Sequence, residues 1–157
     1  MTALLPEEVV ELIASGVDVY VATRDRELEP ESMFAMGIRP HEGRATITVY
    51  LPEALAAQTC QNLADNGDIA ITVERPIDHM AVQIKGRSLG TRPSNEQDRE
   101  LQAVFRAALV EQFAKVGIPR ATTRRLTWWP SIAVDVAIRD IYLQSPGPRA
   151  GEPMPAS

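Results

Sequence analysis

Residues able to do chemistry are thinly spread along this chain. Cys60 is the only cysteine, and His41 and His79 are the only histidines. A single thiol cannot close an internal disulfide, and two separated histidines with no cysteine beside them offer no zinc-ligand spacing. His41 sits in Pro40-His41-Glu42-Gly43, which reads as a solvated turn. Cys60 falls inside a helical pattern and reads as a small buried hydrophobe. No Ser-His-Asp set, carboxylate pair or glycine-rich phosphate loop stands out, so no catalytic residue and no metal ligand is assigned. Asp25, Glu27, Glu29 and Glu31 read as a charged turn. What remains is basic, and reads either as a solvated sheet face or, by its sign, as a place for a phosphate. Gln83, Lys85 and Arg87 alternate along one strand and share a face. Arg39 and Arg44 flank a turn, and Arg120, Arg124 and Arg125 fall in a loop. Guanidinium and ammonium groups beside hydroxyls match a phosphate, which carries up to two charges and accepts several hydrogen bonds. Trp128 and Trp129 are the only tryptophans. Neighbours on an extended segment point opposite ways, so one can pack inward while the other stacks on a planar group or meets a partner.

The elements that must position these groups follow from periodicity. The chain has 157 residues, 45% hydrophobic and 24% charged, which suits one globular domain. A net charge of −5 and a pI near 5.1 argue against nucleic acid or a polybasic membrane contact. Apolar runs are short and the N-terminus has no basic segment ahead of an apolar one, so no membrane span or signal peptide is expected and the protein is expected in the cytoplasm. Pro6-Glu7-Glu8 opens a helix that Ser15-Gly16 ends. Val17, Val19 and Val21 alternate as a strand over 17–23. Strands follow at 32–38 and 45–51, the latter rich in β-branched residues. A helix runs from Pro52-Glu53 to Asn66-Gly67, then strands at 68–74 and 79–89, with Gly86 marking a bulge or bend. Ser94, with Gln97 in the capping-box position, starts a helix whose stripe is Leu101, Val104, Phe105, Ala108, Leu109, Gln112, Phe113 and Val116. A last strand spans 131–143.

Six strands joined largely by hairpins, with three helices, do not alternate as a parallel sheet requires. They predict a mainly β, α+β domain over 1–143: a six-stranded antiparallel split β-barrel with flanking helices, since closure removes sheet edges. The Pro/Gly-rich tail, 144–157, is expected to be disordered in isolation.

The succession Tyr20-Val21-Ala22-Thr23, then Val49-Tyr50-Leu51-Pro52, then Asn62-Leu63 through Asn66-Gly67, then Ile69 to Val73, then Val82-Gln83-Ile84-Lys85-Gly86-Arg87 resembles the pyridoxamine 5'-phosphate oxidase-like family of flavin-binding split barrels. The resemblance covers roughly residues 5–89. It implies a homodimer with flavin mononucleotide (FMN) in a groove between two barrels, and an oxidoreductase in which the flavin carries the electrons. It places Thr23, Ser32 and Met33 toward the flavin ring, and Gln58 and Thr59 where the family carries basic phosphate ligands. Arg39, Gln83, Lys85 and Trp129 complete the candidate cofactor set. The departure at Gln58 and Thr59 keeps alternatives open: a ligand-binding or sensory dimer that has lost flavin, or a barrel using deazaflavin or haem.

Overall fold

A computed structural model describes residues 3–155. Its strands are β1 (Asp18–Arg24), β2 (Pro30–Ala35), β3 (Ile38–Pro40), β4 (Thr46–Pro52), β5 (Asp68–Arg75), β6 (Met80–Pro93) and β7 (Ser131–Leu143). Its helices are α1 (Glu7–Ala14), α2 (Ala57–Asp65), α3 (Glu96–Lys115) and the short α4 (Arg120–Arg124). All pairings are antiparallel, in the order β2-β1-β5-β6-β7-β4-β3.

The two ends of that order belong to one stretch of chain. β2 passes through Met36-Gly37 into β3, so a single run leaves one edge of the sheet and joins the other. Across the switch Met36 N–H donates to the Tyr50 carbonyl at 2.8 Å and Tyr50 N–H to the Gly37 carbonyl at 3.0 Å. This is why the predicted second strand is two and the count is seven. Gly37 makes the switch: its φ is +154°, and a Cβ there would stand 2.8 Å from the Tyr50 ring.

The interior is filled by alternate residues of every strand. Val19 and Val21 of β1, Ile71 and Val73 of β5, Ile84 of β6, Val134 and Val136 of β7, and Ile47 and Val49 of β4 are all buried, and α1 adds Val9 and Leu12. Gly86 does carry the expected irregularity. The β6–β7 register shifts between Lys85 and Gly86, and a Cβ on Gly86 would lie 2.5 Å from the Ala137 carbonyl oxygen.

Four expectations are corrected. The helix after β4 opens with a single 3-10 turn, Glu53–Leu55, before α2. The cap of α3 is Asn95, with Asp98 completing the capping box, one residue beyond the Ser94–Gln97 pair. Asn caps as well as Ser, and an Asp in the fourth place can accept from the Asn95 amide, as it does at 2.9 Å. The apolar stripe of α3 is only partly turned inward: Leu109 and Gln112 are buried and Phe105, Ala108 and Phe113 half-buried, but Leu101, Val104 and Val116 are exposed, while Asp98, Gln102 and Val110, outside the stripe, are buried. The sheet beneath the first turns of α3 offers polar partners, the Tyr50 hydroxyl and the Ser131 hydroxyl, and the helix faces its polar residues to them. The tail is ordered as far as Pro155. Leu143 N–H donates to the Glu152 carbonyl at 2.9 Å and Met154 N–H to the Ile141 carbonyl at 2.8 Å, and Met154 packs on the core. β4 pairs with β7 only along 131–137, and the tail covers the edge that β4 leaves free. The last two residues of the predicted tail lie outside the described residues. No helix among the described residues is long and apolar enough to cross a membrane.

Candidate functional site: a cationic cleft on the outer sheet

Residues pointing away from the barrel interior on β1, β5, β6 and β7 build a shallow cleft of about 340 Å³. Its floor is low because Ala22 faces Ala70 across β1–β5 and Gly86 has no side chain. Arg24, Lys85 and Arg139 stand around it. Strand alternation puts Lys85 on this face opposite Ala70 and Asp140. Arg139 is the extra residue of the β6–β7 bulge: Lys85 pairs with Asp140 and Gly86 with Ile138, so Arg139 has no partner across the ladder.

The charges do not cancel. Arg24 donates to Asp68 Oδ2 at 2.9 Å, and one guanidinium nitrogen each of Arg87 and Arg139 lies 3.8 Å from Asp68 Oδ1. Three guanidiniums thus share one carboxylate. With Lys85, whose ammonium lies 5.1 Å above the Tyr142 ring, and Asp140 opposite it, four cations meet two carboxylates on a chain of net charge −5. These side chains are roughly half exposed, so their donors are open to a ligand.

The far end of the same face is acidic. Asp18 faces Glu74 across β1–β5. Burial, and then the Glu74 charge, push the Asp18 carboxyl up to about 6. Glu74 takes a hydrogen bond at 2.5 Å from His79, which raises the His79 imidazole. Between the two ends Tyr20 packs edge to face on Phe34 with ring centroids 5.3 Å apart. The face therefore offers cations at one end, small residues and an aromatic pair beyond them, and carboxylates at the far end.

The predicted cofactor residues fall into separate places. Lys85 and Thr23 line the cleft, Ser32 lies opposite Ala22, and Gln83 sits opposite Thr72 and Tyr142. Thr23 is buried, and its Oγ accepts from Asn62 at 3.0 Å. Met33 and Thr59 meet where α2 packs on the sheet, and Gln58 is exposed on that helix. Thr59 is 1% exposed and donates to the Met33 sulfur at 3.2 Å, while Gln58 donates to Asn62 at 2.9 Å. Arg39 lies on the opposite half of the sheet, donating to Tyr50 Oη at 3.3 Å and Thr48 Oγ at 3.4 Å. Trp129 lies beside Trp128 near α3, with the Arg99 guanidinium 5.3 Å from its ring centre. Sequence reasoning placed Arg87 with Lys85 by alternation. It missed Arg24, which reads as part of a charged turn, and Arg139, which only a bulge brings to this face.

A second polar cluster lies under α3. Asp98, 3% exposed, accepts from Arg92 at 2.5 Å and 3.2 Å, from Tyr50 Oη at 2.9 Å and from the Asn95 amide at 2.9 Å. Burial alone would raise its carboxyl, but these donors outweigh it and hold it down at about 2. Every oxygen is satisfied, so this cluster fastens α3 to the sheet.

No protein-family model matches the chain. No curated protein matches it. Solved structures do. HupZ from Group A Streptococcus superposes with a TM-score of 0.58 at 18% identity, covering 94% of this chain and 100% of that one. A pyridoxamine 5'-phosphate oxidase candidate from Lactobacillus delbrueckii gives 0.56 at 14%, covering 90% and 99%. An FMN-binding protein from Syntrophomonas wolfei gives 0.51 at 14%, covering 83% and 78%. The chain therefore shares the split-barrel fold of these structures.

Proposed function

We propose that this protein is an FMN-binding split barrel that works as a homodimer, with the flavin phosphate held in the cationic cleft. The observation that carries this reading is the surplus of cations around Asp68 on the one outer face that also presents small residues and an aromatic pair. Half-exposed guanidiniums can give a phosphate paired, charge-assisted hydrogen bonds that a single shared carboxylate cannot absorb. A tricyclic ring would extend from there over Ala22 and Ala70 toward Tyr20 and Phe34, and a second barrel laid on this face would shield it from water. When bound, the flavin supplies hydride or electron transfer, and the protein supplies binding, orientation and exclusion of water.

A non-catalytic ligand-binding dimer is the second reading. It is favoured by the family's phosphate positions, where Thr59 is buried against Met33 and Gln58 is spent on Asn62. A haem reading has less support: His79 is an exposed turn residue paired with Glu74, and His41 is hydrogen-bonded to Thr48 at 2.8 Å, so neither faces the cleft.

The test is the visible spectrum of the purified protein after incubation with FMN and desalting, with the mass in solution measured by light scattering. A retained flavin spectrum on a dimer is expected. A colourless protein that nonetheless binds inorganic phosphate in the cleft would select the second reading.

A further inference from the structure

A different region carries an independent inference. α1, β3 and α3 enclose a cleft of about 330 Å³, on the other half of the sheet from the cationic face. Its walls are apolar: Val10 and Ile13 of α1, Ile38 of β3, and Leu101, Val104 and Phe105 of α3. Leu101 and Val104 are the part of the α3 stripe that amphipathicity would have buried and the fold leaves open. Val104 is 72% exposed and Leu101 38%. The volume lies within the range that holds small-molecule ligands.

The cleft has one charged group. Arg39 lines it, and its guanidinium makes only two long hydrogen bonds, to Tyr50 Oη at 3.3 Å and Thr48 Oγ at 3.4 Å. Both acceptors are neutral. Among the described residues, no carboxylate lies within ion-pair distance of Arg39. The nearby acids are engaged elsewhere: Asp98 with Arg92 and Tyr50, and Asp135 with the Thr48 hydroxyl at 2.6 Å. Arg39 therefore has donors to spare beside apolar walls, and a planar fork of donors matches a carboxylate in bidentate fashion.

We propose that this cleft binds a small apolar carboxylic acid, its carboxylate on Arg39 and its hydrocarbon body between α1 and α3. The two halves of the ligand match the two halves of the site. A hydrocarbon alone gains only burial, and a small polar anion alone meets one half-buried cation. A molecule carrying both completes the charge and covers the exposed stripe together.

The experiment is calorimetric titration of the full chain with decanoate, and with decanol as the uncharged probe of equal length. Decanoate is expected to bind saturably, one per chain, at least tenfold more tightly than decanol. Arg39→Gln is expected to bring the two ligands together by weakening decanoate alone. Because Arg39 also holds Tyr50 and Thr48, a second variant is needed: Val104→Glu, at an exposed position, sets a like charge at the mouth and is expected to weaken decanoate about tenfold with the thermal midpoint unchanged. Equal binding of decanoate and decanol would overturn the proposal, as would decanoate binding indifferent to both substitutions. So would a wild-type dimer that takes up no decanoate but separates on Val104→Glu, since the stripe would then be covered by a second copy. None of these outcomes depends on FMN, whose retention is read separately by its spectrum.

Discussion

The outer surface of this barrel carries two polar clusters built from the same residue types to opposite effect. Around Asp98 one carboxylate receives Arg92, the Tyr50 hydroxyl and a backbone amide, and lies almost wholly out of water. Around Asp68 one carboxylate is shared by three guanidiniums at 2.9, 3.8 and 3.8 Å, and all stay in contact with solvent. The first is saturated: donors and acceptors balance, and nothing further can be bound without breaking it. The second is unsaturated, with cations in excess of what Asp68 and Asp140 can neutralise. In a buried, balanced network the removal of one member strands the others and is costly. An exposed, unbalanced one adds little to stability and is free to bind. The contrast explains why the functional assignment falls on Asp68 and its neighbours rather than on the better-made network.

The largest expected effect is at the saturated cluster. Asp98→Ala leaves Arg92 and the Tyr50 hydroxyl without their partner beneath α3. Arg92 is 40% exposed and rehydrates, so the cost, from the buried Tyr50 hydroxyl and the lost cap, is about 2 kcal/mol, which for a chain of this size lowers the thermal midpoint by about 6 °C. The sign with pH is fixed by the Asp98 carboxyl, held at about 2 in the folded protein against its ordinary value of 3.8. A depressed carboxylate stabilises the fold above its ordinary value and loses that contribution as pH falls through 3.8 toward 2. The deficit of Asp98→Ala should therefore be full at pH 7 and should shrink as pH falls through that window, in thermal melts of both proteins. A midpoint unchanged at pH 7 would dissolve the distinction between the two clusters.

The unsaturated cluster should respond the other way round. Arg87→Gln combined with Arg139→Gln removes two cations that meet Asp68 only at 3.8 Å. Stability should move by no more than about 0.5 kcal/mol. FMN affinity, read by quenching of flavin fluorescence on titration, should fall about 30-fold, equivalent to about 2 kcal/mol. The wild-type affinity should itself weaken as salt is raised, because the cleft is exposed. If the double variant melts several degrees lower and binds FMN as before, the cations belong to the scaffold and the cleft is not the phosphate site.

How far the sequence foretells these regions depends on which kind of order builds them. Local periodicity was enough for the strands: the alternation of Val17, Val19 and Val21 and the β-branched run at 45–51 place residues inward where the barrel buries them. Gly86 foretold a bulge because no Cβ fits beside the Ala137 carbonyl. Local signals cannot show that β2 and β3 are one run crossing from edge to edge, since that depends on the Tyr50 backbone lying opposite Gly37. Nor can they show which face of α3 turns inward, because the polar sheet residues that receive Asp98 and Gln102 come from distant strands. The cationic cleft was half legible. Lys85 and Arg87 follow from alternation, whereas Arg139 joins them through a bulge between strands more than fifty residues apart. Of the resemblance-based residues, Thr59 is buried against Met33 where α2 packs on the sheet, while Gln58 is exposed and bonded along its own helix to Asn62.

The smallest expected effect gives the sharpest test of the comparison, because the two clusters require opposite outcomes from the same kind of substitution. Asp68→Asn removes the one carboxylate that holds Arg24, Arg87 and Arg139, and keeps the side-chain shape. If Asp68 competes with a bound phosphate for those guanidiniums, its neutralisation frees them, and FMN and inorganic phosphate should each bind about threefold more tightly, equivalent to about 0.7 kcal/mol. The thermal midpoint should stay within about 2 °C, since the pairs are solvent-exposed and each contributes little. If Asp68 instead orders the guanidiniums as Asp98 orders Arg92 and Tyr50, the same change should weaken both ligands and lower the midpoint together. The direction of the affinity change, measured on one conservative variant with two ligands, therefore decides whether the Asp68 cluster is an open site or a second fastening of the sheet.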